Sequence, residues 1–150
     1  MPKKKSDKTY YEGIGRRRTA VARVRLYVVD GKTEATIDKM KVKKGEVYVN
    51  SKAVDVYFPH AYQKVAYEMP FTLTDSLGRF AVVVKVNGGG TESQLEAFSL
   101  GASRALLKVD ESMRPALKKD GLLTRDSRVR ERRKVGTGGR ARRKKQSPKR

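Results

Sequence analysis

The chain contains no cysteine, which excludes disulfides and thiolate metal sites and fits a reducing compartment. It holds a single histidine, His60, so no pair of imidazoles is available to share a metal. No apolar run comes near the ~18 residues a membrane helix needs. The opening MPKKKSDK has no apolar segment behind its charges. Neither a membrane anchor nor a signal peptide is therefore expected. An Arg/Ser-rich amphipathic leader is also missing, which points to a cytoplasmic rather than an organellar protein. Neither G-x-S-x-G nor H-E-x-x-H occurs, and with them go the commonest hydrolase signatures. His60 reads as a helix-terminal or RNA-facing polar residue rather than a catalytic base. No enzyme, metal, cofactor, membrane or small-molecule substrate is expected.

Acidic residues are the other shortage: 16 against 36 lysines and arginines, for a net charge of +20 over 150 residues. The imbalance is not uniform. Residues 1–25 carry 9 basic and 2 acidic side chains, residues 26–124 carry 14 and 12, and residues 125–150 carry 13 and 2. A body of ordinary charge thus has cationic ends, which repel themselves and stay extended until a polyanion neutralises them. The division expected is a flexible basic N-terminus over 1–9, a globular RNA-binding body over 10–124, and an extended basic tail over 125–150. Fully extended, such a tail reaches roughly 85–90 Å.

Within the body, TAVARVRLYVV alternates from Thr19 onward. Ala22, Val24, Leu26 and Val28 fall on a core side, and Arg23, Arg25 and Tyr27 on a cationic outward side. The Lys-rich stretch over about 30–44 reads as an inserted hairpin or surface loop with a β-like piece at 35–37. EVYVN reads as a short strand. Pro59 suits a helix start, and Tyr62, Val65, Ala66 and Met69 recur at helical spacing until Pro70 stops the run. FAVVVKV, apolar on both faces except at Lys85, reads as a central strand. Thr91 and Gln94 form a capping-box pattern ahead of an amphipathic helix through Leu95, Phe98, Ala102, Leu106 and Val109. A short helix over 114–119 closes at Gly121. This order predicts an α/β two-layer sandwich, a small mixed sheet with helices on one side.

Two glycine motifs invite a phosphate. GGGTESQ lies between strand and helix, where backbone N–H groups could hold an anion, but it lacks the Lys–Ser/Thr pair of a P-loop. GIGRRR lacks the third glycine of a dinucleotide fingerprint. The structural reading of GGG is a tight connection where backbones pass closely. The arginines speak more clearly. Arg16, Arg17 and Arg18 lead directly into a buried strand, and the tail supplies Arg128, Arg130, Arg132, Arg133, Arg140, Arg142 and Arg143 with almost no acids. Forked guanidinium donors match phosphate oxygens, and neutralised phosphates release counterions. No helix-turn-helix, basic zipper or zinc finger is present, and no aromatic platform for single strands. A compact body with long arms suits a folded RNA.

These motifs together resemble the small-subunit ribosomal protein S-nine family, bacterial type. GIGRRRTAVARV (13–24) is similar to its opening block, YFP (57–59) to a helix lead-in, GGGTESQLEAFSLGASRAL (88–106) to its central signature, and LKKDGLLTRDSRVRERRKVG (117–136) to its closing block. The resemblance implies a four-stranded mixed sheet of the ribosomal S-five second-domain type. It implies ribosomal RNA of the small-subunit head and neighbouring head proteins as partners. It also implies a tail that runs through RNA to the peptidyl site, where Lys149 and Arg150 meet tRNA. Arg23, Arg25, Arg104, Arg125, Lys134, Lys144 and Lys145 join the arginines above as RNA-binding residues.

Three features depart from the family pattern. Residues 30–44 are longer than the usual turn. GTGGRARR (136–143) is one residue longer than its counterpart. The end, Gln146-Ser147-Pro148-Lys149-Arg150, lacks the family's aromatic and has a stiffening proline. Charge alone also permits a general nucleic-acid chaperone or architectural DNA binder. A small-molecule kinase would need a catalytic carboxylate or lysine beside GGGTESQ, where Glu92 is the nearby acid.

Overall fold

The computed structural model describes residues 10–29, 35–37 and 40–136, with residues 35–37, 40 and 41 in backbone only. A five-stranded sheet has the order β1-β2-β7-β5-β6, and β3 and β4 pair separately. The chain runs β1 (Tyr10–Arg17), β2 (Ala20–Val28), β3 (Ala35–Ile37), β4 (Met40–Val42), β5 (Val47–Val49), β6 (Lys52–Ala53), α1 (Val54–Tyr57), α2 (Ala61–Thr72), β7 (Phe80–Asn87), α3 (Thr91–Val109) and α4 (Arg114–Lys119). The strands β1, β2 and β7 are antiparallel in succession, and β5 runs parallel to β7, so the sheet is mixed. Its strand number is five rather than four. The fifth, β6, is only two residues long, too short to leave a period-2 signature.

The apolar residues of β7 are buried on both faces, as expected of a run interrupted only at Lys85. On the helix side, Ala20, Ala22, Val24 and Leu26 of β2 meet Val82, Val84 and Val86 of β7, and α2 and α3 cover them with Tyr67, Phe71, Leu95, Phe98 and Leu106. A second, smaller cluster lies on the other face: Tyr27, Val29, Val42, Ala81 and Val83. Two expectations are corrected there. Tyr27 is buried, because the chain around β4 lays Val42 over that face of the sheet and Tyr27 packs beneath it, while Val28, at the end of β2 on the helix side, is exposed.

Helix α2 is rotated relative to its apparent apolar stripe. Tyr62, Val65 and Met69 are exposed, while Gln63, Tyr67, Pro70 and Phe71 face inward. The aromatic rings decide: Tyr67 stacks on Phe98 at 5.9 Å, and rings bury more area than a valine. Nor does Pro70 end the helix, which continues to Thr72. A proline deprives the carbonyl four residues back of its donor. Here that carbonyl, Ala66, accepts a bond from the Ser99 hydroxyl of α3 at 2.8 Å instead. The helix begins after His60, whose N–H donates to Gln63 Oε1 at 3.2 Å; Pro59 lies outside it.

The expected capping box at Thr91 and Gln94 does not form. Gly90 is the N-cap and no side chain caps it. Gln94 acts as a strut, accepting from the Tyr57 hydroxyl at 2.8 Å and donating to the Gly88 carbonyl at 3.0 Å. The glycines themselves are packing elements. A Cβ on Gly88, where φ is +72°, would stand 2.4 Å from the Thr19 carbonyl oxygen. Asn50 extends the pairing of β5 with β7, its side chain donating to the Val86 carbonyl at 3.0 Å and accepting from the Val86 N–H at 2.9 Å. At the far end, Leu122 N–H bonds the Leu117 carbonyl and Gly121 N–H the Lys118 carbonyl, each at 3.1 Å, the Schellman closure expected of Gly121.

The tightest contact joins β1 to α3. A Cβ on Gly15 would lie 1.9 Å from the Ala97 carbonyl oxygen, and one on Gly13 would lie 2.1 Å from that of Gly101. Strand and helix therefore touch backbone to backbone along Ala97, Gly101 and Ala105. Gly15→Ala should cost about 3 kcal/mol or more, since a methyl has no room unless strand and helix separate. Urea unfolding of the variant against the parent measures this; a loss below about 1 kcal/mol would show that the contact yields.

Candidate nucleic-acid interface

Strand alternation distributes the run Arg16–Arg18 to three environments. Gly13, Gly15 and Arg17 face the helices, and Ile14 and Arg16 the opposite, open side of the sheet. Arg16 is exposed and sits across from Val21. Next along, Arg23 is opposite Ile14 on one side and Lys85 on the other. Arg16, Arg23 and Lys85 thus share one face, with the exposed apolar side chains of Ile14 and Val21 between them. Arg23 is half exposed, its guanidinium 3.8 Å from Glu12. Arg25 is more tightly held: its Nε donates to Glu12 Oε2 at 2.9 Å, and it lies 5.0 Å from the centre of the Tyr10 ring. The hydrogen bond to Glu12 leads the causes that raise its pKa. In the sequence, Lys85 is only an interruption in an apolar strand. Its place opposite Arg23 depends on strand register, which no local pattern displays.

Arg18 occupies the two-residue turn between β1 and β2 with φ +49°, a left-handed conformation that L-residues with bulky side chains avoid. It borders an open groove of about 560 Å³ with Tyr57, His60, Tyr62 and the first residues of α3. His60 stacks on Tyr62, centroids 5.7 Å apart, and the Tyr62 hydroxyl donates to Glu92 Oε1 at 2.5 Å. That bond to a carboxylate is the main cause raising the tyrosine's pKa. Arg104, from the middle of α3, donates to the Ile14 carbonyl at 2.7 Å, so it supports the edge strand β1.

Arg17 is placed unlike its neighbours. Its side chain is only 7% exposed, paired with Glu96 of α3 and, at 2.9 Å, with Asp126. It also donates to the Arg128 carbonyl at 3.3 Å. Asp126 in turn receives Arg128 through a forked contact, with Nη2 to Oδ2 at 2.6 Å and Nε to Oδ2 at 2.9 Å. The Arg128 side chain hydrogen bond, then its N–H, holds the Asp126 carboxyl well below the usual carboxylate range, and the Arg17 charge adds to this. Arg125 and the side chains from Ser127 to Gly136 are exposed, among them Arg128, Arg130, Arg132, Arg133 and Lys134. Arg140, Arg142, Arg143, Lys144, Lys145, Lys149 and Arg150 lie outside the described residues.

The sequence model for ribosomal protein S9/S16 matches residues 15–150. The chain belongs to the ribosomal protein S9/S16 family. It is a ribosomal protein of the small subunit, a component of a ribonucleoprotein that acts in translation. The family is structural rather than catalytic, and membership implies association with ribosomal RNA and other ribosomal proteins. Among the described residues no helix is long and apolar enough to cross a membrane.

The ion pairs around Asp126 give the family's closing block a measurable pH response. Its folded-state pKa is depressed, so its stabilising contribution is fully present above the ordinary aspartate value of about 3.9. That contribution is lost as pH falls toward the depressed value. Hydrogen exchange at residues 126–128 should be constant relative to free peptide between about pH 5 and 8, and should accelerate below about pH 3. Protection that persists undiminished in strong acid would show that this carboxylate does not hold the segment.

Proposed function

We propose that the protein binds ribosomal RNA in the head of the small subunit through a body at 10–124 and a basic tail at 125–150, with residues 1–9 as a second cationic end. The reading assigns it to a cytoplasmic ribosome and gives the body the connectivity of the ribosomal S-five second domain. The observation that carries it is the segregation of cations. The helices occupy one side of the sheet, while Arg16, Arg23 and Lys85 gather on the other. The exposed segment 127–136 adds five arginines and lysines from Arg128 to Lys134 against one acid, Glu131. Such surfaces bind by releasing counterions from phosphates, and arginine adds directional, forked hydrogen bonds. Arg18, exposed in the β1–β2 turn, is a natural phosphate ligand. Arg25 and Arg104, both held by internal partners, supply positive potential near the surface.

Binding to purified small-subunit ribosomal RNA across a range of salt tests this. Each phosphate contact removed should lower the slope of log K against log salt by roughly 0.7–0.9. Replacing Arg16, Arg18 and Arg23 with glutamine should lower it by about 2–3 if all three engage phosphates. An unchanged slope removes the sheet face from the interface. A general nucleic-acid chaperone would instead bind an unrelated RNA of equal length as tightly.

The tail is proposed to continue through ribosomal RNA, with Arg140, Arg142, Arg143, Lys144 and Lys145 on phosphates and Lys149 and Arg150 on peptidyl-site tRNA. Charge-assisted contacts of this kind contribute modestly each. A chain ending at Gln146 should still assemble, and the rebuilt subunits should hold peptidyl-site tRNA several-fold more weakly. Equal tRNA affinity would remove the tRNA role while leaving ribosomal RNA binding intact.

A further inference from the structure

Among the residues of the β1–β2 hairpin, Arg17 combines three features that a phosphate ligand does not need. It is almost wholly buried, it is bound to carboxylates on two separate segments, and it also takes a main-chain carbonyl. Its partners lie far apart in sequence: Glu96 in the second turn of α3, and Asp126 with Arg128 beyond the last helix. The preceding stretch of chain is fixed by other means. Leu122 and Leu123 pack on the core, and α4 ends in its Schellman turn. Beyond Arg128 the described side chains are exposed and the backbone has no helix or strand. The Arg17 contacts therefore hold the point at which a highly cationic segment leaves the body.

We propose that Arg17 is a positioning residue: with Glu96 and Asp126 it clamps the root of the tail and fixes the direction in which residues 129–136 depart. This rests on the RNA-binding reading, since its use is to pre-organise that segment. A chain that leaves in one direction loses less freedom when RNA orders it. Arginine is required because its planar fork presents several donors at fixed angles. A lysine carries its three donors on a single nitrogen, whereas Arg17 meets Glu96 through Nε and Asp126 and the Arg128 carbonyl through Nη1.

The clamp makes a prediction opposite in sign to simple charge counting. Asp126→Asn removes a negative charge beside a cationic tail, so electrostatics alone would strengthen RNA binding. Loss of the clamp weakens it. Because the protein has no cysteine, Ser127→Cys provides a single spin-labelling site at the root. In the full-length protein without RNA, the label should be restrained in the parent and fast-moving in the Asp126→Asn background. Affinity for complete small-subunit ribosomal RNA should then fall roughly three- to tenfold, the part of a charge-assisted contact that survives solvent screening. Arg17→Lys, which conserves charge, should show the same two changes. A melting curve for each variant reports whether the body is folded, and Asp126→Asn keeps the test open if the buried Arg17→Lys variant does not fold.

Equal label mobility in parent and Asp126→Asn overturns the clamp. Greater mobility with unchanged or tighter RNA binding overturns the positioning role, because the root would then be free without consequence. If the parent binds an unrelated RNA of equal length as well as ribosomal RNA, the RNA reading fails, and label mobility still decides whether the clamp exists.

Discussion

The backbone contact between β1 and α3 sets the terms for the rest of the molecule. Glycine at positions 13 and 15 lets an edge strand lie directly on the stripe Ala97, Gly101 and Ala105, with no side chain between them. The pleat then leaves no choice about its neighbours. Residues at alternate positions must point to the open face, and the next inward-facing residue after Gly15 must run along the surface of α3. That residue is Arg17, and it finds Glu96, one position before Ala97 on the same helix. The close approach therefore also creates the buried ion pair. Arg104 completes the arrangement by donating to the carbonyl of Ile14, on a strand that has a neighbour on only one side.

A buried arginine with two carboxylates is costly to desolvate, and replacing such networks with apolar residues often leaves stability unchanged or improved. Stability alone is a poor reason for Arg17, Glu96 and Asp126 to meet. Direction is a better one. A network of this kind is satisfied in one geometry only, so it specifies where the chain must pass. The incoming segment joins at Asp126 and the Arg128 carbonyl, and Arg128 also grips Asp126 from outside. The carboxylate thus sits between an inner and an outer guanidinium, and its pKa is lowered chiefly by the hydrogen bonds from Arg128, with the charge of Arg17 a smaller addition.

Much of this was legible in the sequence. The strands 20–28 and 80–87 announced themselves by alternation and by an apolar run broken only at Lys85, and α3 by its heptad-like spacing over 91–109. What misled was information held in three dimensions. Tyr62, Val65 and Met69 make a plausible apolar stripe, but the rings of Tyr67 and Phe71 and the hydroxyl of Ser99 turn α2 the other way. β1 was hidden because Gly13 and Gly15 have poor strand propensity, and their value lies only in what they touch. The Thr91–Gln94 pattern matched a capping box, yet Gln94 is used to brace the Gly88 loop against Tyr57.

The same distinction separates the two kinds of arginine. Composition identifies a cationic protein and locates its charges along the chain, and it treats Arg16, Arg17 and Arg18 alike. Strand geometry does not: one faces the open sheet, one the core, and one stands on a turn with positive φ. Arg18 argues for a function most directly. Glycine would adopt φ +49° without steric cost, and the Arg18 side chain is exposed and lies outside the core, which is the basis for proposing it as a phosphate ligand. Arg17 argues the reverse, since its contacts are all internal and its effect on a ligand must pass through the segment it holds. Adjacent residues with the same charge therefore serve opposite ends of one device. Arg18 carries its charge on an exposed turn, and Arg17 is proposed to hold in place the segment along which further charge extends.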